Sequence, residues 1–260
     1  MPFLTVNNIN QSYEVTGEGN ALLLLHGLGS TKQDWDLQVP VLSKDFKVVT
    51  VDLRGHGDTS KPEEGYGVEY MTEDIRQLLE QLNIDKVSLV GFSMGGAVAF
   101  QFASDFPEWV DKLVIVNSGP DFNAMGEIGE QLVAERTKSL NEYGMGPLAE
   151  QIATNMFPEK GQESMREAFE TRCKKNDLNA YYQSFVTLMQ WGLGDNIRKI
   201  TAKTLVIASD MDYTPVAFKE AYVNKLQDAK LVVIENSRHG VVMDQAEVFN
   251  NELYKFLMYG

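Results

Sequence analysis

The pentapeptide Gly91-Phe92-Ser93-Met94-Gly95 constrains the fold most tightly, because it joins two segments of opposite character. Before it, Lys86-Val87-Ser88-Leu89-Val90 has the β-branched, apolar make-up of a buried strand. After it, the run from Gly96 to Ala103 reads as a helix of small and apolar residues. A strand that passes into a helix through so short a turn forces the serine into a strained backbone conformation and brings neighbouring backbone close. Gly91 and Gly95 therefore stand where a Cβ would clash. The Ser93 hydroxyl is held out at the carboxyl end of a strand, with the Met94 N–H and a helix N-terminus beneath it. Ser93 is a candidate nucleophile; the plainer alternative is an ordinary strand-to-helix turn.

Strands and helices alternate on either side of this turn. Phe3 to Val6 and Gln11 to Thr16 read as an edge hairpin around Asn7-Asn8. Ala21 to Leu25 is an apolar run of strand length, and Lys47 to Val51 follows. Ile75, Leu78, Leu79 and Leu82 form the apolar stripe of a helix starting at Met71. Lys112–Val116, Thr204–Ala208 and Leu231–Ile234 complete the strands, and Phe249, Leu253, Phe256 and Leu257 mark a final helix. Alternation of this kind predicts a mainly parallel sheet covered on both faces, with ligands bound at the carboxyl ends of its strands.

Between Ser118 and about Ile200 the alternation stops. Ile128, Leu132 and Leu140, then Leu148 and Ile152, Met165 and Phe169, and Tyr182, Phe185 and Met189 fall at helical spacing, separated by Gly144, Gly146-Pro147, Pro158 and Gly161. Three or four helices are expected as a cap over 119–200, inserted into a core of 1–118 and 201–260. Phe92, Met125, Trp191 and Val241 are expected to line a pocket beneath it, although any one methionine or aromatic there could simply pack helices together.

Composition narrows the partners. The formal net charge of -14 argues against nucleic acid or an anionic membrane surface. Cys173, the single cysteine, excludes an intramolecular disulfide and a cysteine-rich metal site. The first residues carry no basic region followed by an apolar run, and no stretch approaches the roughly 18 apolar residues of a spanning helix. A cytoplasmic chain acting on a small molecule is expected, with no metal and no membrane partner; its oligomeric state is not legible.

A serine hydroxyl is a poor nucleophile at neutral pH. It needs a base, most economically an imidazole, which needs a carboxylate to fix its tautomer. Of the three histidines, His26 and His56 precede Ser93, whereas His239 follows the last strand, where a loop can bring its ring over the serine. The acid is expected in the loop after the preceding strand, which offers Asp210 and Asp212. Asn117, at the alternative acid position one strand earlier, is uncharged. Met94 supplies one backbone donor for an oxyanion, and Leu28, after His26-Gly27, is the natural second. His26 is expected to support that loop through its ring, and Gly27 to permit close approach.

His26-Gly27-Leu28-Gly29, Asp52-x-Arg54-Gly55-His56-Gly57-x-Thr59, Gly91-x-Ser93-x-Gly95-Gly96, Asp212 with Thr214-Pro215, and His239 together resemble the α/β-hydrolase superfamily. The likeness is greatest to its capped esterases, enol-lactone hydrolases and non-haem haloperoxidase-like members. It implies a mostly parallel eight-stranded sheet with helices on both faces, an inserted helical cap, and a Ser93–His239–Asp212 triad that needs no cofactor. Asp212 is preferred over Asp210 on the family pattern. The resemblance implies hydrolysis of carboxylic esters, with carbon–carbon, enol-lactone or perhydrolytic chemistry on the same triad as alternatives, and a ligand-binding receptor as the alternative of another class. Arg54 and His56 are implied to be loop scaffolding.

Overall fold

The computed structural model describes residues 2–260; residue 1, the first of the expected core segment, lies outside them. Strands β1 (Phe3–Val6) and β2 (Ile9–Thr16) form the expected hairpin. Its two loop residues, Asn7 and Asn8, have φ of 42° and 63°, the left-handed pair that matches the twist of a two-residue hairpin. The chain continues through β3 (Asn20–Leu25), the short α1 (Val39–Leu42), β4 (Phe46–Val51), α2 (Val68–Gln81), β5 (Val87–Phe92), α3 (Met94–Asp105) and β6 (Val110–Val116). Four helices follow: α4 (Gly126–Tyr143), α5 (Met145–Met156), α6 (Glu163–Lys174) and α7 (Leu178–Gln190). Then come β7 (Lys203–Ser209), α8 (Val216–Val223), β8 (Ala229–Ile234), α9 (Val241–Asp244) and α10 (Ala246–Tyr259).

The eight strands form one sheet in the order β1-β2-β4-β3-β5-β6-β7-β8. β1 and β2 run antiparallel to their neighbours, and every pairing from β4 to β8 is parallel. The unbroken leucines of β3 follow from this arrangement. Leu23 and Leu25 face a core with α2 and α3, while Leu22 and Leu24 face a second core with α10. All four are fully buried, each contributing roughly 2 kcal/mol of apolar burial. Helix α2 buries Met71, Ile75, Leu78 and Leu79 as its stripe predicts, but begins three residues before Met71.

The insertion between β6 and β7 extends the second core. Leu148, Met156, Phe157, Phe169, Tyr181 and Phe185 from its helices join that cluster. The apolar spacing of α4 marks its helix correctly and its buried face poorly. Ile128 is 65% exposed and Leu132 38%, because α4 buries Gly129 and Leu140 instead. The insertion is fastened to the loop after β3: the Asn176 side chain donates to the Gly29 carbonyl at 2.7 Å, and Arg172 pairs with buried Asp34 at 3.0 Å. At the other end of the site, a Cβ on Gly240 would lie 2.6 Å from the Phe157 ring.

Candidate active site

Ser93 stands between β5 and α3 with φ 53° and ψ -118°, a conformation that L-residues rarely adopt. The strain is held by close packing. A Cβ on Gly91 would lie 2.3 Å from the Gly95 carbonyl oxygen, and one on Gly95 would lie 2.4 Å from that of Leu25. The Ser93 N–H donates to Val116 at 3.0 Å, tying the turn to β6.

The loop after β3 lies against this turn. Gly95 N–H donates to the His26 carbonyl at 3.1 Å, and a Cβ on Gly27 would be 3.3 Å from both the Ser93 Cβ and the Phe92 ring. The His26 ring is fully buried: Nε2 accepts from Leu53 N–H at 2.9 Å, so Nδ1 carries the proton and donates to the Gly27 carbonyl at 2.7 Å. Burial lowers its pKa, which keeps the ring neutral in this role. The loop that carries Leu28 thus lies against the turn that carries Met94. The neighbouring Ser30 and Gly96 amides bond within the turns, to Gly27 and Ser93, and Met94 opens a helix whose first N–H has no intrahelical acceptor.

The Asp52 segment forms a scaffold behind this loop. The Asp52 carboxylate accepts from Lys32 N–H at 2.8 Å and its ammonium at 2.7 Å, and Arg54 pairs with Asp74. His56 donates from Nδ1 to the Arg54 carbonyl at 2.9 Å and lies 5.3 Å from His26, ring to ring.

The loop after β8 brings His239 to the serine. The Ser93 hydroxyl lies 3.0 Å from Nε2, and Nδ1 lies 2.6 Å from Asp212 Oδ1. A carboxylate only accepts, so Nδ1 carries the proton and Nε2 is left to receive the serine's. Asp210 is engaged elsewhere, its carboxylate accepting Asn236 N–H at 3.0 Å and Ser237 N–H at 3.1 Å. Burial by itself would raise the Asp212 carboxyl. Its contacts with His239 and Lys219 outweigh that and hold it well below the usual carboxylate range.

Two neighbours of this arrangement, Tyr213 and Lys219, escape sequence reasoning, and a third, Asn117, takes a role that its sequence position does not reveal. The Asn117 side chain donates to the His239 carbonyl at 2.9 Å and Ser209 Oγ at 2.7 Å, and accepts from Ser209 N–H at 2.8 Å. Being uncharged, it holds the histidine's backbone and not its ring. Tyr213 stacks on the imidazole, with centroids 4.4 Å apart and planes 24° apart. Lys219 has a fully buried side chain and bonds Asp212 Oδ2. Its only sequence signal is its place three residues before Tyr222, on the inward face of α8.

The side chains expected to line a pocket are mostly packed away. Phe92 is 1% exposed and lies 5.1 Å from the His239 ring, so it walls the imidazole. Val241 is fully buried in the second core. Trp191, 4% exposed, packs by Phe122 and donates its indole N–H to Gln101 of α3 at 2.8 Å. Met125 is half-buried, against Gly129. Local sequence singles out these positions, whereas the side chains that pack beside Gly240 and Gly29 are Phe157 and Tyr181 of the insertion. Among the described residues, no helix is long and apolar enough to cross a membrane.

The model of the alpha/beta hydrolase fold matches residues 20–138. An uncharacterized protein of Mycobacterium tuberculosis is 40% identical over 119 residues, which are 46% of this chain and 35% of the relative, so the match spans about a third of that protein's length. The 3-oxoadipate enol-lactonase 2 of Acinetobacter baylyi is 27% identical over 255 residues, covering 95% of this chain and 93% of the enzyme. Among solved structures, the bromoperoxidase from Bacillus anthracis superposes with a TM-score of 0.92 at 25% identity, covering 98% of this chain and 99% of that one.

Proposed function

Because the chain belongs to the α/β-hydrolase superfamily, we propose that it hydrolyses carboxylic esters through an acyl-enzyme on Ser93. The observation that carries the reading is the continuous hydrogen-bonded path from Ser93 through His239 to Asp212. In this reading the Ser93 oxygen attacks the ester carbonyl as its proton passes to His239 Nε2. The carbonyl oxygen gains the negative charge and is met by the Leu28 and Met94 N–H groups, each such donor being worth roughly 3–4 kcal/mol in the transition state. His239 then gives its proton to the leaving alcohol. Water, deprotonated by the same ring, attacks the acyl group and releases the acid and free serine. Asp212 holds the imidazole in the tautomer that both halves require. The chemistry is complete with these groups and requires no metal or organic cofactor. In this reading residues 119–200 act as a cap that closes over the core and selects the acyl chain.

Hydrolysis of short-chain nitrophenyl esters by the wild type, with its loss in Ser93→Ala, is the test. Equal rates for the two proteins would remove the serine from the mechanism. The same steps open a lactone, whose ring contains an ester bond. The full-length similarity to an enol-lactonase favours this as the second reading, and relative rates on linear esters and lactones separate the two.

A further inference from the structure

The Lys219 side chain is 0% exposed, and burying an ammonium is costly unless it is paired and hydrogen-bonded. Its three donors meet three acceptors: Asp212 Oδ2, the Thr214 carbonyl at 2.6 Å and Thr214 Oγ1. The Thr214 hydroxyl also donates to Asp212 Oδ2 at 2.9 Å. The two oxygens of Asp212 are therefore divided, Oδ2 to Lys219 and Thr214, and Oδ1 to His239 Nδ1. Lys219 is anchored from α8, which packs on the sheet through Tyr222, whose hydroxyl donates to the Ser118 carbonyl at 3.1 Å.

We infer that Lys219 is a positioning residue for the nucleophile: it locks Asp212 in rotation and, through a second positive charge on that carboxylate, opposes protonation of the resting imidazole. This inference rests on the hydrolase reading above. An aspartate alone would favour the imidazolium, and a protonated ring cannot take the serine's proton. A cation on the far oxygen offsets part of that attraction, while the lock keeps Oδ1 aimed at Nδ1. Other titratable or charged groups around the ring are Tyr213 on its face, Arg136 of the insertion acting on Tyr213, Tyr222 beyond Lys219, and Asp210 and Asp244, which bind Ser237. Arg238, next in the chain, is directed toward Glu159 of the insertion at 3.6 Å. Lys219 is the cation in direct contact with the carboxylate.

The test is the pH dependence of Ser93 labelling by a fluorophosphonate, which reads the nucleophile whatever the natural ester. Rates are normalised to titrated sites so that only folded molecules count. Lys219→Gln, which can still donate to Oδ2, is expected to move the acid limb about one pH unit higher, with the plateau rate held within about tenfold. Lys219→Met, which removes the donor as well, is expected to move the limb similarly and to lower the plateau tenfold or more. Limbs that coincide with the wild type in both variants would overturn the inference. A measurement on the wild type applies even if neither variant accumulates: with 15N-lysine, the Lys219 Nζ resonance is expected to shift at the midpoint of the acid limb. A resonance blind to that midpoint would overturn the inference, leaving the hydrolase reading intact. A wild type that does not label at all would overturn both.

Discussion

Asn117 and His239 are 122 residues apart in sequence, yet the side-chain amide of the first donates to the main-chain carbonyl of the second at 2.9 Å. The asparagine leaves β6 with a left-handed φ of 43° and reaches across the end of β7 to the loop that carries the imidazole. A residue that touches neither the Ser93 hydroxyl nor the imidazole thus ties down the backbone of the histidine loop.

Replacing that amide tests the dependence. Asn117→Ala is expected to reduce turnover on an ester by up to about 100-fold through displacement of the histidine loop. Asn117→Asp should do worse, since a carboxylate would face the carbonyls of Arg238 and His239 with nothing to donate. Steady-state kinetics with both variants decides; an Asn117→Asp protein as active as the wild type would show that the loop holds itself.

Two aspartates two residues apart should behave in opposite ways. Asp212→Asn is expected to cut kcat by about 10⁴, because an amide can present N–H to Nδ1 and favour the wrong tautomer. Asp210→Asn keeps one acceptor for the Asn236 and Ser237 amides, so it should leave kcat within about tenfold and cost about 1 kcal/mol of stability. Parallel rate and urea-unfolding measurements separate the roles, and a larger rate loss in Asp210→Asn would reverse the assignment.

The buried histidine pair makes a prediction about acid stability. Burial, then the neighbouring His26, pushes His56 down to about 3, and burial likewise lowers His26. The unfolded chain binds protons at these rings below about pH 6.5 while the folded protein does not, so stability is full above that pH and falls as pH drops toward the folded values. Each ring contributes up to about 1.4 kcal/mol per pH unit across that window. Urea unfolding between pH 7.5 and 5.5 should show the decline, and His56→Gln, which cannot titrate, should make it shallower. An identical slope in the two proteins would contradict the account.

How far the site could be read in advance differs from residue to residue. Ser93 is legible because its surroundings are local: a buried strand, two glycines and a helix of small residues specify the turn within a few peptide units. His239 is legible by its place after the last strand, where a loop at the carboxyl end of the sheet can bring its ring over the turn that carries Ser93. Asp212 required a family pattern, because proximity along the chain does not distinguish it from Asp210. The expected pocket residues fared differently. Val241 and Trp191 are buried in cores on opposite faces of the sheet, a difference that no helical or strand period encodes.

The alternation of strands and helices, the buried character of β3 and the strained serine follow from the sequence itself, because hydrophobic period and backbone sterics act over a few residues. Only the tertiary structure decided that Asn117 would hold a backbone instead of a ring, that Lys219 would lie against the Asp212 carboxylate, and that Phe157 and Tyr181 would pack beside Gly240 and Gly29. Those choices depend on which side chains meet across loops of free direction. Such meetings are settled by packing and by the need to pair each buried charge, quantities that exist only once the chain has closed on itself.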